Sequence, residues 1–567
     1  MTVYYVSTSG NDTNDGLTEA TPWASLAKVK TFPFVGGDEI RFKRGETFYG
    51  RLTFDGPTFT SEVIVGTYGF GKKPVISGYK VGNNASSWTQ HTTNVWKIDL
   101  TANGTYTGNR DTADTNVGFL NLDNKIYGYK KKTLAEVTSA WQFYCDSTYL
   151  YVYATANPTT LVSNIEIAIN ITLVNKRNNL TVKDLEITGS GGHGVGNAGN
   201  GVKVINCDIH AIGGSYLPNY GDGTTRFGNG IEFFNNGKDI LIEFNNIYDV
   251  YDVAFTMQGL PTAPFENVIV KNNIIWNCTQ TFEVWMSAGD YSKFLNCFFE
   301  DNICINAGYG WGYDVRPDQG TPVHLLLYNL YGTVNDITVR GNVFYNPRGA
   351  LYYGSANLGY TIPYKSDNNY IFLREGQKIH MNKTYTVEQS ASFIADLNQE
   401  KNSKFYTLTD TPVKLEDILS NIQTTLGANT GQVKSLQNAV GALSSRINDI
   451  KQSTLKYRDV GEVSELSHLT GYLKPAGGYV TNATGTLGTF YAPLGKINIT
   501  STNTRFDMTM SYMLCGDGAQ NRNGFGILNL QIIPTAGLTA GTYVDIDVVE
   551  LLPFTTGPSP QDFVAVI

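Results

Sequence analysis

VKDLEI (182–187), VINCDI (204–209), IEFNNI (242–247), IVKNNI (269–274), FFEDNI (298–303), TVRGNV (338–343) and KSDNNY (365–370) are variants of one six-residue block. Their starts lie 22, 38, 27, 29, 40 and 27 residues apart, so a unit of 22 to 29 residues is kept while two units carry insertions. Within each block apolar and polar residues tend to alternate, the period of a strand whose successive side chains point to opposite faces. Five blocks have Asn at the fifth position: Asn246, Asn273, Asn302, Asn342 and Asn369. Asn tolerates the left-handed backbone of a tight turn, and like amides on successive coils can hydrogen-bond to one another. The repeat therefore predicts an all-β fold, a single-stranded parallel β-helix rather than a helical solenoid.

Working outward, the chain of 567 residues exceeds one ordinary core, and 59 Gly with 12% aromatic and 16% charged residues fits a turn-dense protein of several modules. A formal net charge of -8 provides no basic footprint for nucleic acid, and no apolar run is long enough to span a membrane. The opening MTVYYVSTSG lacks the basic-then-apolar order of a signal peptide. Six cysteines (145, 207, 278, 297, 304, 515) form no CxxC pair and read as buried thiols rather than disulfides or metal ligands.

Residues 1–80 carry the β runs EIRF (39–42), VIVGTY (63–68) and PVISGY (74–79), with a short helix predicted near Trp23–Val29. We read them as an N-terminal cap and the first coils, since a solenoid end exposes core and unpaired strand edges. In GNDTNDG (10–16), Asp12, Asn14 and Asp15 offer oxygens to calcium, but the distal Glu of an EF-hand is missing and an Asx-rich turn is the simpler reading. No cofactor is required. Residues 81–165 read as an irregular β elaboration and 166–410 as the main β-helix, whose repeat stops after Tyr370 and whose far end is closed by a short helix in TVEQSASFIADLNQ (386–399).

Over 411–454 the period changes. Leu415, Ile418, Ile422, Leu426, Asn429, Val433, Leu436, Val440, Leu443, Ile447 and Ile450 follow three/four spacing with one extra four-residue step, a coiled coil containing a stutter. The helix opens at Thr411-Pro412 and runs about 54 Å at ~1.5 Å per residue. Its exposed seam predicts self-association without specifying the number of chains. Short strand runs from GTFYAPL (488–494) to DFVAVI (562–567) predict a β-sandwich over 455–567, for assembly or for receptor or carbohydrate binding.

A second strand follows five of the blocks: NGIEFF (229–234), AFTMQG (254–259), TFEVWM (281–286), GYDVRP (312–317) and ALYYGS (350–355). With Ile231, Phe255, Phe282, Tyr313 and Leu351 inward, the outward column is Glu232, Thr256, Glu283, Asp314, Tyr352. Two residues on, the parallel column is Phe234, Gln258, Trp285, Arg316, Gly354. At ~4.8 Å per coil, Glu283 is expected beside Asp314 and Glu232 about 10 Å from Glu283. Stacked carboxylates repel, which leaves a proton donor beside an ionised partner, the pair that glycosidic hydrolysis uses. The predicted catalytic set is Glu232, Glu283 and Asp314. Asp252, which with Asp249 precedes the coil-three strand, is a base or water holder or simply a turn residue.

Trp285, Arg316 and Gln258 beside this column, and Tyr352 at its end, are substrate-binding candidates. The loop 213–229 adds Tyr216 and Arg226, and the insertion 316–332 adds His324, whereas His193 reads as structural. Two other functions fit the same residues. One is a polysaccharide lyase, with Arg316, Arg226, Tyr352 or His324 as neutraliser or base; the other is a non-catalytic glycan-binding adhesin.

The motifs YYVSTSGNDTNDGLTEATPWASL (4–26), GDEIRFKRGETFYG (37–50), TYGFGKKPVISG (67–78), the Asn-Ile blocks and GNGIE (228–232) resemble the right-handed parallel β-helix proteins of the pectate-lyase-like superfamily. In layout the chain is similar to bacteriophage tailspike depolymerases, most specifically over residues 1 to about 410. The resemblance implies a homotrimer on a virion tail that cleaves a bacterial capsule, O-antigen or other exopolysaccharide. Family acids usually lie along one sheet or between subunits, compatible with Glu232, Glu283 and Asp314, and no family catalytic motif transfers. Many tailspikes begin with a particle-binding domain, whereas here the cap starts at residue 3, which implies attachment through another virion protein or a missing N-terminal domain.

Overall fold

The computed structural model describes residues 1–408 except 103, 112–113, 176, 197–198, 219, 221–222, 260–263, 287–293, 317–319, 329–335, 355–363 and 384, together with the backbone of four strands between 492 and 548. The chain divides into two compact units, Met1–Ala442 and Leu443–Ile567.

The first unit is a parallel β-helix. Along the chain, strands such as Gly237–Glu243, Asn246–Val250 and Val253–Gly259 go in turn to a first, a second and a third sheet before Phe265–Lys271 begins the next coil. The first and second sheets have ten strands each and the third has eight. Inward side chains stack in register: Ile40, Val65, Val182, Val204, Ile242, Val270, Phe299 and Val339 form one column of the first sheet, all at most 1% exposed. Ile187, Ile209, Ile247, Ile275, Cys304, Phe344 and Ile371 form its counterpart in the second. Stacking like on like keeps the core continuous, and burying such side chains contributes about 1.5–3 kcal/mol each.

Each six-residue block is a corner between the first and second sheets. One residue turns left-handed: Asp184, Asn206, Phe244, Asn272, Asp301 and Asn368 have φ between 52 and 62°, and Gly341 has 69°. The next residue points inward, and from the third such coil onward it is asparagine. Asn245 donates from its backbone N and from Nδ2 to Asn273 Oδ1, both at 2.9 Å. Asn273, Asn302 and Asn342 repeat the pattern onto Asn302, Asn342 and Asn369 at 2.9–3.1 Å. The second amide hydrogen of Asn273, Asn302 and Asn342 goes to the carbonyl of Ile242, Val270 and Phe299. The ladder thus starts at Asn245 rather than Asn246. Phe244, not asparagine, fills the left-handed position of that coil, so Asn246 pairs with Ile274 and the block is displaced by one residue.

The repeat also continues past Tyr370. Lys378–His380 joins the third sheet, and Lys404–Leu408 pairs with Tyr370–Arg374 in the second. Helix Ser390–Leu397 closes this end with Phe393 buried. Here the ladder terminates on Glu400, whose buried carboxylate accepts from Asn369 Nδ2 (3.0 Å) and from the hydroxyls of Ser366 (2.6 Å), Tyr352 and Ser403.

At the other end, helix Leu26–Thr31 is capped by Ser25. Asp12 accepts the backbone N–H of Ala24 (2.8 Å) and Ser25 (3.0 Å) and the Ser25 hydroxyl (2.6 Å), and Asp15 accepts from Leu17 N and the Thr21 hydroxyl, so these oxygens serve the turn. Among the described residues no group of three His, Cys, Asp or Glu is gathered as for a metal, and no helix is long and apolar enough to cross a membrane. The five described cysteines are free.

Between Tyr79 and Ile169 the chain leaves the solenoid and builds two antiparallel sheets of five and four strands, an ordered insert rather than an irregular one. The second unit contains two antiparallel pairs, Ala492–Ile499 with Thr542–Val548 and Phe506–Leu514 with Gly524–Ile532. The coiled coil predicted over 411–454 and Cys515 lie outside the described residues, as does any packing of the two pairs into a sandwich.

Replacing the central ladder residue, Asn302→Ala, strands the backbone N–H and amide of Asn273 and the carbonyl of Val270. We expect a loss of about 3 kcal/mol in denaturant unfolding, against less than half of that for an exposed corner residue such as Asn368→Ala.

Candidate active site

The third sheet presents the predicted column over three strands. Glu232, Thr256 and Glu283 are direct partners on Ile231–Phe234, Val253–Gly259 and Gln280–Met286. The next strand is Val323–Tyr328, which sets Leu326 beside Glu283 and Tyr353 beyond it. Asp314 is not in the column. It ends the short helix Trp311–Asp314 and pairs at the surface with Arg348 at 2.6 Å. The reason is steric and local: Gly312 packs so closely on the Tyr251 backbone that a Cβ there would lie 2.4 Å from its carbonyl oxygen, and Trp311 Nε1 donates to the Asp249 carbonyl at 3.0 Å. GYDVRP is thereby tied to the corner, and the apolar run VHLLLY supplies the strand.

Tyr352 is likewise displaced by one residue. It pairs with Leu325, faces inward and is fully buried against Ser366 and Glu400. His324 is also buried, between the Thr281 hydroxyl (2.8 Å) and the Tyr345 carbonyl (3.2 Å), and burial lowers its pKa to about 3. Arg226 is consumed by structure. Its guanidinium donates to the carbonyls of Gly214, Gly128, Val315 and Gly118, at 2.6, 3.0, 3.1 and 2.9 Å. Tyr216, opposite Arg226 in a small antiparallel pair, lies under Lys130 Nζ at 4.3 Å. None of these four faces the column as a ligand-binding group.

Glu232 is 6% exposed and held from two sides. Gln258 Nε2 donates to Oε1, and His193 Nε2 lies 3.2 Å from Oε2. His193 Nδ1 accepts the backbone N–H of Asn229 at 3.1 Å, which places the ring proton on Nε2 and directs it at Glu232. From sequence alone His193 reads as structural. Its link to Glu232 needs the coil register, since it sits one coil earlier, where Val195 pairs with Ile231.

Glu283 is 8% exposed and accepts the Thr256 hydroxyl at 2.8 Å. Burial, then the charge of Asp252 and, more weakly, that of Glu232 push its pKa up to about 8, against the opposing hydrogen bond of Thr256 and charge of Arg316. Asp252 is paired with Arg316 Nη1 at 2.9 Å. The Tyr251 ring lies between two guanidinium groups, Arg316 at 5.0 Å and Arg226 at 4.6 Å, which links the buried arginine to the one that reaches the site. Asp249 is on the second sheet and belongs to a different cleft.

Beside the acids runs the second predicted column, Phe234, Gln258 and Trp285, continued by Tyr328 in the place expected for Arg316. Phe234 and Tyr328 are 40% and 41% exposed. The surface therefore joins a protonated carboxyl, two further acids held by donors, and an aromatic strip.

No protein-family model and no curated protein matches the chain. Among solved structures it is similar to XylC in complex with xylose (11% identity over 72% of this chain and 86% of that one, TM-score 0.37). It is also similar to a GH136 lacto-N-biosidase from Eubacterium ramulus (12%, 72% and 68%, 0.33) and to the pectate lyase Pel9A (12%, 76% and 85%, 0.33). At TM-scores below 0.5 these likenesses assign neither a family nor an activity.

The raised pKa of Glu283 has a signed effect on stability. Between the ordinary Glu value of ~4.3 and about 8 the folded protein holds a proton that the unfolded chain releases, so stability falls as pH rises through that window. Glu283→Gln removes this titration. Its unfolding free energy relative to the parent is expected to improve by a few kcal/mol, order of magnitude, between about pH 5 and about pH 8.5, measured by urea denaturation.

Proposed function

We propose that the chain is a polysaccharide depolymerase that cleaves by glycoside hydrolysis on the third sheet. The observation that supports this most directly is the column in which buried Glu283 stands two strands from Glu232. At ~4.8 Å per strand that is about 9.6 Å at the backbone, near the ~6.5–9.5 Å of a carboxyl pair with room for a water between acid and base. Glu283, carrying its proton at neutral pH, donates to the departing glycosidic oxygen. Glu232, steadied by His193 and Gln258, takes a proton from the attacking water, whose oxygen bonds to the anomeric carbon as the glycosidic bond breaks. Asp252 with Arg316 sets the charge around Glu283, and Trp285 with Phe234 and Tyr328 offers apolar faces to sugar rings.

Elimination is the weaker reading because its reagents are engaged elsewhere: Arg226 by backbone carbonyls, His324 and Tyr352 by burial, and Arg316 by Asp252. At the finer level, we propose a tailspike-like enzyme acting on a bacterial surface polysaccharide, trimeric through residues 411–454 and carried on a virion tail. The heptad spacing and the cap motifs support that reading.

Glu283→Gln and Glu232→Gln are each expected to lower the depolymerisation rate about 10²–10⁴-fold, as measured by new reducing ends on a capsule panel, while still unfolding in one cooperative transition. Ultraviolet-absorbing unsaturated products would instead establish a lyase, and bound but uncut polymer an adhesin. Trp285→Ala is expected to raise KM by about tenfold, a loss of roughly 1.4 kcal/mol in binding, with kcat nearly kept. Sedimentation of the full chain should give a trimer, and a chain lacking 411–454 a smaller species.

A further inference from the structure

A second concavity lies on another face. The outer side of the second sheet and the antiparallel insert enclose a cleft of about 390 Å3, within the ~300–1,000 Å3 range of small-molecule sites. Thr188, His210 and Tyr248 form one register column of its floor. The His210 ring stacks on Tyr248 at 4.6 Å, and Tyr248 on Trp276 at 4.5 Å, within 11° of parallel. His210 Nε2 is 3.1 Å from Glu186, and His210 Nδ1 is 3.3 Å from the Thr188 hydroxyl. These contacts build the floor in advance of any ligand.

From the insert, Glu166 and Asn121 form the opposite wall, with Asn121 Nδ2 donating to Glu166 at 2.6 Å. Asn121 Oδ1 is buried and meets no donor among the described residues. Tyr49, 43% exposed, adds an aromatic face at the rim.

The charge of the cleft selects the class of ligand. Among the described residues no Lys or Arg lines it, and the one imidazole among them, His210, is matched by Glu186. Three acids, Glu166, Glu186 and Asp249, thus outnumber the single imidazole, which disfavours an anionic ligand. Among the described residues no three His, Cys, Asp or Glu gather as they would around a metal ion, and burial raises the pKa of Glu166 and that of Asp249, the latter to about 6. Hydroxyl donors and acceptors beside apolar C–H faces remain. We infer that this cleft is a second carbohydrate-binding site, taking a neutral saccharide unit, separate from the acids of the third sheet. The inference rests on the cleft's own lining and holds whether the third sheet hydrolyses, eliminates or only binds.

The test uses the full chain carrying Glu283→Gln and saturation-transfer NMR with di- to tetrasaccharides of glucose, galactose and N-acetylglucosamine and with galacturonate oligomers. Neutral oligosaccharides are expected to bind, with signal persisting in Trp285→Ala and, in that background, reduced at least fivefold by adding Tyr49→Ala or Glu166→Ala. Tyr49 is a surface residue, so its variant is expected to melt like the parent. Binding lost in Trp285→Ala but kept in Tyr49→Ala and Glu166→Ala would overturn the inference, as would binding of galacturonates alone or of none of the sugars. In the chain without Glu283→Gln, Tyr49→Ala should leave the cleavage rate on short substrates unchanged, which separates failure here from failure of the hydrolytic reading.

Discussion

A side-chain amide held between two of its own kind sets the pitch of this molecule. Each inner ladder asparagine, Asn273, Asn302 and Asn342, accepts two hydrogen bonds from the coil before and donates two to the coil after, so the corner between the first and second sheets repeats at one strand spacing. Everything that depends on register follows from that corner. Inward columns stay apolar, and outward columns bring residues far apart in sequence to one strand spacing. The ladder stops where the coil does, on the buried Glu400, which takes the last amide donor.

The third sheet shows what register does to chemistry. A glutamate in an ordinary surface strand would ionise freely; Glu283 is enclosed by its neighbours and faces the charge of Asp252. The structural support of this arrangement reaches inward through Tyr251 to Arg226, which donates four hydrogen bonds to backbone carbonyls of the insert, the hairpin loop and the segment after helix Trp311–Asp314. One buried cation thus ties three excursions from the solenoid to the site.

Much of this was legible because coil spacing is a property of sequence. The blocks predicted the β-helix, the cap helix and the closing helix, and their strand offsets placed Glu232, Thr256 and Glu283 in one column and Gln258 with Trp285 in the next. Legibility failed at insertions and single-residue slips. Asp314 and Arg316 were assigned to a strand because their spacing matched, but Gly312 against Tyr251 makes that segment a corner helix. Phe244 in a left-handed position hid the true start of the ladder, and Tyr352 read as outward because nothing local marks a pairing offset of one residue. His193 escaped for another reason: its partner is on the next coil, and only three-dimensional register connects a glycine-rich corner to an acid 39 residues away.

The insert between Tyr79 and Ile169 has a kinetic meaning. Strand Val63–Tyr68 finds its neighbour not in the following coil of sequence but at Leu180–Lys183, so Val63 pairs with Leu180 across the whole excursion. The coils from Gly237 to Tyr345 need only short closures, and in a stack where each coil touches its neighbours, order spreads outward from wherever it begins. Closing a long loop costs only slightly more than closing a short one, but its ends meet late unless the intervening chain has folded. The insert therefore sets the most distant of these closures: Val63 meets Leu180 only across the whole excursion, and contacts of large sequence separation are the ones that slow folding.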